Sequence, residues 1–232
     1  MNKKLPILIS VPHAGETIPP EVADRCILTP EQIMADSDGG ASEIYALEDL
    51  VECFMTTHIA RAITDLNRAP DDRRGDGVVK THTCNLEAVY STFPDAGTVQ
   101  LLLDRYYHPY HQELTSLANS GIVLGVDCHT MAAIGPPVGP DPGGERPRIC
   151  ISNGDGTCPD DWFESLGDCL AEIFDGSVRL NSPFTGGYIT RRHAPEMPWV
   201  QLELSRAPFM SNSDKRSGVL ESLRRWLSII TG

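Results

Sequence analysis

The sequence has little positive charge and no long apolar run. Its 232 residues include 19 Lys and Arg against 32 Asp and Glu, which gives a formal net charge of -13 at pH 7. Nucleic acids and anionic membrane surfaces bind positive potential, so the charge argues against both as partners. No stretch reaches the roughly 20 apolar residues of a transmembrane helix, and Leu5–Val11 is too short for the apolar region of a signal peptide. We therefore expect a cytoplasmic protein.

Paired cysteines are also missing. The seven cysteines are scattered along the chain, and no Cys-x-x-Cys pair occurs. Neither a disulfide framework nor a zinc ribbon is indicated. Cys128 precedes His129 and could be a thiol nucleophile, but adjacent residues of a strand point to opposite faces, so we expect Cys128 to lie in the core.

Apolar runs and helical stripes alternate along the chain. Strands are predicted at 5–11, 59–66, 121–127, 148–152 and 199–204. Helices are predicted at 42–57, 99–117, 159–174 and 212–230, with a further helix start at Thr29-Pro30 and polar loops at 71–94 and 132–148. This alternation predicts an α/β fold with three α/β/α layers and a mixed, mostly parallel sheet. The length suits a single domain spanning residues 1–232.

Several polar residues stand at the ends of the predicted strands, where ligands of such sheets bind. They are His13, Asn67, Arg68, Asp127, His129 and Glu203. Catalytic zinc takes three His, Asp or Glu ligands and leaves a fourth position for water, whose pKa then falls to about 7. The set could build a hydrolytic metal site, although each residue alone could equally belong to a turn, a loop or a solvent-facing edge.

Short motifs in a fixed order resemble the N-formylglutamate amidohydrolase family. The first is Ser10-Val11-Pro12-His13-Ala14-Gly15. The others are Asp36-Ser37-Asp38, Asp65-Leu66-Asn67-Arg68, Tyr110-His111, Asp127-Cys128-His129-Thr130-Met131, Gly186-Gly187-Tyr188-Ile189-Thr190-Arg191 and Val200-Gln201-Leu202-Glu203-Leu204. That family is similar in layout to zinc carboxypeptidases and aspartoacylase, so the resemblance implies a zinc-carboxypeptidase-like (phosphorylase/hydrolase-like) fold.

The resemblance also implies an activity. It is the zinc-dependent hydrolysis of a small anionic N-acyl amino acid, with N-formyl-L-glutamate giving formate and L-glutamate in histidine degradation. The chain has Gly39-Gly40 where family members usually carry Trp, so the acyl group and the amino acid stay open. The alternatives are a carboxypeptidase- or aspartoacylase-like hydrolase of another N-acyl amino acid, and a non-catalytic metal- or amino-acid-binding protein of the same fold.

The resemblance assigns one Zn²⁺ per chain to His13, His129 and a third ligand. That ligand is Asp38 by similarity to the family, or Glu16 by the His-x-x-Glu spacing of the carboxypeptidases. Asp127 would orient one liganding imidazole through its other ring nitrogen.

Glu203 matches the late catalytic glutamate of the zinc carboxypeptidases and would act as general base; its structural alternative is pairing with Arg206 or another cation. Asn67, Arg68 and Arg191 would bind substrate, since guanidinium groups pair bidentately with carboxylates. Arg192 is the alternative to Arg191. Two further histidines, His108 and His111, are three residues apart on a predicted helix and are expected to be structural, while His193 belongs to no clear motif.

Overall fold

The computed structural model describes residues 3–119, 121–176 and 178–231. The strands in this part of the chain are β1 (Leu5–Val11), β2 (Val51–Thr56), β3 (Leu124–Met131), β4 (Ile149–Ser152), β5 (Val178–Leu180) and β6 (Trp199–Ser205). They form one sheet in the order β2-β1-β3-β6-β4-β5. The first four strands in this order, from β2 to β6, are parallel. Strand β4 runs antiparallel to β6 and parallel to β5. The predicted α/β fold with a mixed, mostly parallel sheet is confirmed.

Helices cover both faces of this sheet. They are α1 (Pro30–Asp36), α2 (Ala41–Ile44), α3 (Ala96–Leu102), α4 (His108–Leu117), α5 (Asp160–Ile173), α6 (Tyr188–His193) and α7 (Asn212–Thr231). A π-helical turn, Leu103–Tyr107, joins α3 to α4. One core lies between the sheet and α2, α5 and α7, and a second core lies between the sheet and α1, α3, α4 and α6. No helix in the described ranges is both long enough and apolar enough to cross a membrane.

The chain between residues 42 and 66 differs from its prediction. The helix predicted at 42–57 is wrong, because α2 ends at Ile44 and the chain then enters β2, which pairs in parallel with β1. The strand predicted at 59–66 is also wrong, since only isolated bridges form at residues 59 and 60. The apolar spacing of 42–57 fits a helix locally, but β propensity depends on packing against a neighbouring strand, and β1 supplies that neighbour.

Other elements agree with the sequence more closely. Helix α1 begins as predicted, with a capping box in which the Gln32 backbone N–H donates to Thr29 Oγ1 (3.3 Å) and the Thr29 N–H donates to Gln32 Oε1 (2.8 Å). The strand predicted at 121–127 starts at Leu124 and continues to Met131, so Asp127 and His129 lie within it. Cys128 is buried in the core, as expected.

Candidate active site

The polar residues of three neighbouring strands lie on one face of the sheet. Asp127 on β3 pairs in register with Ser10 on β1 and with Gln201 on β6. His129 pairs in the same way with Glu203. Successive residues of a strand point to opposite faces, so the apolar neighbours of these residues enter the core beneath α5 and α7. The strands therefore present a polar surface at their carboxyl ends without interrupting the core on the other side.

Three buried side chains meet above this surface. The possible ligand atoms of His13, Asp38 and His129 all lie within 4.8 Å of one another. Asp38 Oδ2 is 2.9 Å from His129 Nδ1 and 3.6 Å from His13 Nδ1. The backbone N–H of Asp38 donates to the His13 carbonyl (3.1 Å), which fixes the loop after α1 against the end of β1. Glu16, the alternative third ligand, is exposed and outside this cluster.

The second ring nitrogen of each histidine contacts an aspartate. His13 Nε2 lies 2.8 Å from Asp65 Oδ1, and His129 Nε2 lies 2.9 Å from Asp127 Oδ2. A ring whose Nε2–H donates to a carboxylate keeps its Nδ1 lone pair for a cation. Asp127 thus lies where the sequence analysis places it, beside a candidate ligand. Asp65 occupies the equivalent position beside the other histidine, a role the sequence analysis does not assign to it.

The residues around this cluster carry unbalanced negative charge. The buried acids are Asp36, Asp38, Asp65, Asp127 and Glu203. Two cations contact them: Lys80 lies 3.0 Å from Asp36, and Arg61 lies 3.4 Å from Asp38 and 3.3 Å from Asp65. Burial opposes ionisation of Asp36, but the charges of Lys80 and Arg61 outweigh it and lower its pKa to about 2. Two permanently charged side chains thus face five buried acids, and in the described part of the chain Asp127 contacts neither of them.

The unpaired Nδ1 atom of His13, like the unbalanced charge, indicates that the site lacks a cation. Among the described residues this buried atom has no hydrogen-bond partner, although it faces Asp38 and His129. Leaving a buried polar atom unpaired costs free energy. A divalent cation between the two Nδ1 atoms and Asp38 would pair the atom and balance the negative charge. Two imidazoles and one carboxylate therefore fit an ion of the zinc type.

Glu203 is a buried carboxyl beside the cluster. Burial raises its pKa to about 7, although the nearby His129 opposes the shift. Gln201 Nε2 donates a hydrogen bond to Glu203 Oε1 (2.9 Å). Arg206, the cation of the structural alternative, instead donates to the Ser37 carbonyl (3.1 Å). The carboxyl group can therefore exchange a proton near neutral pH, as a general base must.

A cavity of about 170 Å³ opens over these groups, and four arginines line its wall. Arg61 contacts Asp38 and Asp65, as described above. Arg68 lies 3.1 Å from Asp76, and Arg146 makes a bidentate pair with Asp141.

Arg206 differs from the other three arginines, because no acidic partner lies within ion-pair distance of it in the described part of the chain. The cavity therefore carries a positive charge that is available to an anionic ligand.

Asn67 forms part of the wall through its side-chain amide. Its Nδ2 donates to Asp127 Oδ2 (2.8 Å), and its Oδ1 accepts from the Ile189 N–H (2.8 Å). Gly187 packs directly on this amide, since a Cβ at residue 187 would lie 2.3 Å from the Asn67 side chain. The predicted substrate-binding residue thus lies in the cavity, with its amide committed to positioning Asp127.

Arg191 does not line the cavity, contrary to the prediction. Its Nε lies 2.7 Å from Asp155 Oδ2, and its other nitrogens donate to the carbonyls of Thr185 and Gly186. Helix α6 directs this side chain towards solvent, where it holds the preceding loop. The alternative, Arg192, is exposed and lies 3.9 Å from Glu196. The arginines Arg146 and Arg206, which the sequence analysis does not assign to substrate, lie in the cavity instead.

Comparison with known proteins gives one family across most of the chain. The profile of the N-formylglutamate amidohydrolase family matches residues 5–210. The N-formylglutamate deformylase of Pseudomonas aeruginosa is 28% identical over 257 aligned positions, which cover 96% of this chain and 94% of that protein. The enzyme of the same name from Pseudomonas putida is 27% identical and covers 91% of this chain and 84% of its own length.

Solved structures share the fold. The crystal structure of N-formylglutamate amidohydrolase from Ralstonia eutropha JMP134 superposes with a TM-score of 0.75 at 20% identity, over 100% of this chain and 96% of that one. A gene product of Agrobacterium tumefaciens gives a TM-score of 0.77 at 18% identity, over 99% and 93% of the two chains. At this level of identity the similarity establishes the three-dimensional fold.

Proposed function

This chain belongs to the N-formylglutamate amidohydrolase family and is a hydrolase of an amide bond, and we propose that it is a zinc-dependent enzyme that converts N-formyl-L-glutamate into formate and L-glutamate. The observation that carries the proposal is the buried cluster of His13, Asp38 and His129 next to Glu203 in one cavity. The two relatives named N-formylglutamate deformylase support the substrate. A role in histidine degradation, a cytoplasmic location and a single domain over residues 1–232 stay predictions.

His13, His129 and Asp38 would hold one Zn²⁺ per chain. When bound, the ion supplies a Lewis acid that polarises the substrate carbonyl and increases the acidity of water. Asp65 and Asp127 would hold the Nε2–H of the two imidazoles, so that both Nδ1 atoms can serve as ligands once zinc replaces the hydrogen that His129 Nδ1 donates to Asp38.

Glu203 carries the proton through the reaction. Amide hydrolysis requires that a water molecule lose a proton as it attacks the carbonyl carbon, and that the departing nitrogen gain one. Glu203 Oε1 is held by Gln201, so the carboxyl is fixed in orientation while Oε2 can accept the proton from water. The C–N bond then breaks as the same proton passes to the nitrogen. Glu203 therefore begins and ends each turnover as a carboxylate.

We propose that Arg206 binds a substrate carboxylate. It follows β6 directly, and its guanidinium carries a charge that no acid in the described residues neutralises. Arg68, which lines the same cavity, stays our candidate for a second carboxylate. N-formyl-L-glutamate has two carboxylates, so a cavity with several arginines suits it better than a neutral N-acyl amino acid.

A hydrolase of another N-acyl amino acid is the second candidate. Its support is the pair Gly39-Gly40, which stands where family members usually carry Trp and directly follows the candidate ligand Asp38. A Cβ at residue 39 would contact the Arg206 side chain at 3.6 Å, so the identity of the residue here bears on the surroundings of Arg206 and on the choice of substrate.

A substrate panel tests both candidates. The purified protein is loaded with Zn²⁺, its metal content is measured, and it is assayed with N-formyl and N-acetyl derivatives of Glu, Asp, Gln and Leu. We expect the highest kcat/KM for N-formyl-L-glutamate. A higher value for another derivative would favour the second candidate. Absence of turnover with every compound at full metal occupancy would contradict both candidates and favour a binding protein.

A further inference from the structure

Three side chains outside the cavity form a chain of hydrogen bonds that ends on the backbone of an active-site loop. His111 Nε2 on α4 lies 3.0 Å from the Leu66 carbonyl oxygen, and His111 Nδ1 lies 2.9 Å from His193 Nε2 on α6. His193 Nδ1 lies 2.8 Å from Glu196 Oε2. The two rings are nearly parallel, with an interplanar angle of 5°. None of the three side chains lines the active-site cavity.

The hydrogen bond to Leu66 fixes the position of the proton on His111. A carbonyl oxygen can only accept, so His111 Nε2 carries the hydrogen. Burial lowers the pKa of His111 to about 3, and the charge of His193 acts in the same direction. The ring is therefore neutral, and its Nδ1 is an acceptor. It follows that His193 Nε2 donates to His111.

Glu196, at the other end of this series of hydrogen bonds, fixes the position of the second proton on His193. Thr115 Oγ1 donates to Glu196 Oε1 (2.8 Å), and the Arg192 guanidinium lies 3.9 Å from the same oxygen. Glu196 accepts from Thr115, and a carboxylate can only accept. His193 Nδ1 therefore donates to Glu196. His193 thus donates from both ring nitrogens, to Glu196 on one side and to the neutral His111 on the other.

The Leu66 carbonyl, which accepts the last of these hydrogen bonds, lies between two residues that position the candidate metal-binding histidines. Leu66 stands between Asp65, which holds His13 Nε2, and Asn67, which donates to Asp127. Helix α6 contacts the same segment a second time, through the Ile189 N–H and the Asn67 side chain. The peptide at residues 65–67 is thus held by His111 on α4 and by the Ile189 N–H on α6, neither of which lines the cavity.

We propose that Glu196, His193 and His111 form a relay of fixed polarity that positions residues 65–67, and through them the two candidate metal-binding histidines. All three are positioning residues, since none touches the cavity. The assignment of protons in the relay is independent of any substrate. Its consequence for metal binding rests on the metal site proposed above.

Nitrogen-15 NMR of the full-length protein labelled at histidine tests the polarity directly. We expect His111 as the neutral Nε2–H tautomer and His193 with a hydrogen on each ring nitrogen; His111→Gln and His193→Gln assign the signals. In Glu196→Gln the new amide can donate to His193 Nδ1, so His193 should lose the hydrogen on Nδ1 while the His111 tautomer stays unchanged. A parent protein with His111 protonated at Nδ1, or with His193 lacking a hydrogen on either ring nitrogen, would overturn the relay.

Zinc affinity, measured by competition with a chromophoric chelator, tests the positioning role. His111→Leu removes the donor to Leu66 and should weaken zinc binding by about tenfold, the lower end of the range for residues that support metal ligands. His111→Gln keeps a donor and should bind zinc within about threefold of the parent, a smaller loss than that range. Equal affinity in the Leu and Gln variants, with the parent fold retained, would overturn the positioning role.

Two further controls keep the outcome decisive. If His111→Leu fails to fold, Glu196→Ala takes its place, because Glu196 is partly exposed and its removal leaves His193 without the acceptor that holds its second proton. Weaker zinc binding in Glu196→Ala than in Glu196→Gln is then expected, and equal binding would overturn the role. If the parent protein binds no zinc, the metal-site proposal fails, while the NMR experiment still decides on the relay.

Discussion

His129 on β3 and Glu203 on β6 are in-register neighbours on adjacent parallel strands. Their side chains lie on the same face of the sheet, because side chains alternate between the two faces along each strand and paired residues point the same way. The backbone hydrogen bonds between the strands therefore fix a candidate metal ligand beside a candidate general base. A rigid sheet supplies this spacing more accurately than a loop could.

The third metal ligand can be identified with a matched pair of variants. Asp38→Asn removes the negative oxygen beside both Nδ1 atoms, so we expect the purified variant to lose most of its zinc. Glu16→Gln removes the alternative ligand from an exposed position and should keep the parent metal content. Elemental analysis decides between them, with His13→Ala as the reference for a lost ligand. Full zinc content in Asp38→Asn would rule out Asp38.

Substrate recognition by Arg206 can be tested in the same way. Arg206→Lys keeps the positive charge but loses the planar fork that pairs with a carboxylate. We expect KM for N-formyl-L-glutamate to rise by about tenfold or more, which is the cost of about 1.4 kcal/mol for part of a charged hydrogen-bonded pair. Arg191→Lys is the control, because that side chain is held outside the cavity by Asp155. An unchanged KM in Arg206→Lys would remove Arg206 from the binding site.

The sequence predicts the central part of this site and misses its periphery. His13, His129 and Glu203 stand in or beside strands whose apolar patterns are clear, so their meeting at one sheet edge follows from the topology. Asp36 and Lys80 are 44 residues apart and their ion pair forms between α1 and a loop, so no local pattern reveals it. Arg206 and Arg146 follow or precede strands in irregular segments, where the direction of a side chain depends on long-range packing.

Dependence on long-range packing also explains the errors in the predicted secondary structure. Residues 42–57 carry a helical spacing, and only the presence of β1 makes β2 favourable. The prediction of Arg191 as a substrate ligand comes from the Gly186-to-Arg191 motif, and a motif alone does not show which of its residues face the cavity. In the structure Gly186 and Gly187 do so, while one turn of α6 carries Arg191 away.

The metal-free protein should show the cost of burying Glu203 as a pH-dependent stability. The folded-state pKa of about 7 lies above the ordinary value of 4.5 for a glutamate. The unfolded chain therefore ionises first, so stability is intact below about pH 4.5, falls as the pH rises from there to about 7, and is lower by about 3 kcal/mol above that pH. Glu203→Gln cannot ionise, so the metal-free variant should be more stable than the metal-free parent at pH 8, and the difference should vanish at pH 4. Urea unfolding at both pH values measures it; equal stability at pH 8 would contradict the shift.

The last prediction concerns the role of Glu203 in turnover. An amide carbonyl is a weak electrophile and an amine is a poor leaving group, so a group that moves a proton from water to nitrogen is essential to the reaction. Glu203→Gln keeps the shape of the side chain and a hydrogen bond to Gln201, but it cannot accept that proton. We expect zinc content and fold to be retained, KM to change little, and kcat to fall by about 10²–10⁴.

The control for this experiment is Gln201→Leu, which removes the hydrogen bond to Glu203 Oε1 but leaves the carboxyl able to take a proton. It should lose much less activity than Glu203→Gln, because the proton acceptor is still present beside His129. If Glu203 were only a structural residue, the two variants would lose activity in proportion to their loss of stability, and unfolding measurements would show it. A Glu203→Gln variant with kcat within a few-fold of the parent would therefore exclude Glu203 as the general base. The glutamine side-chain amide cannot accept and then release a proton as a carboxylate does, whatever its orientation.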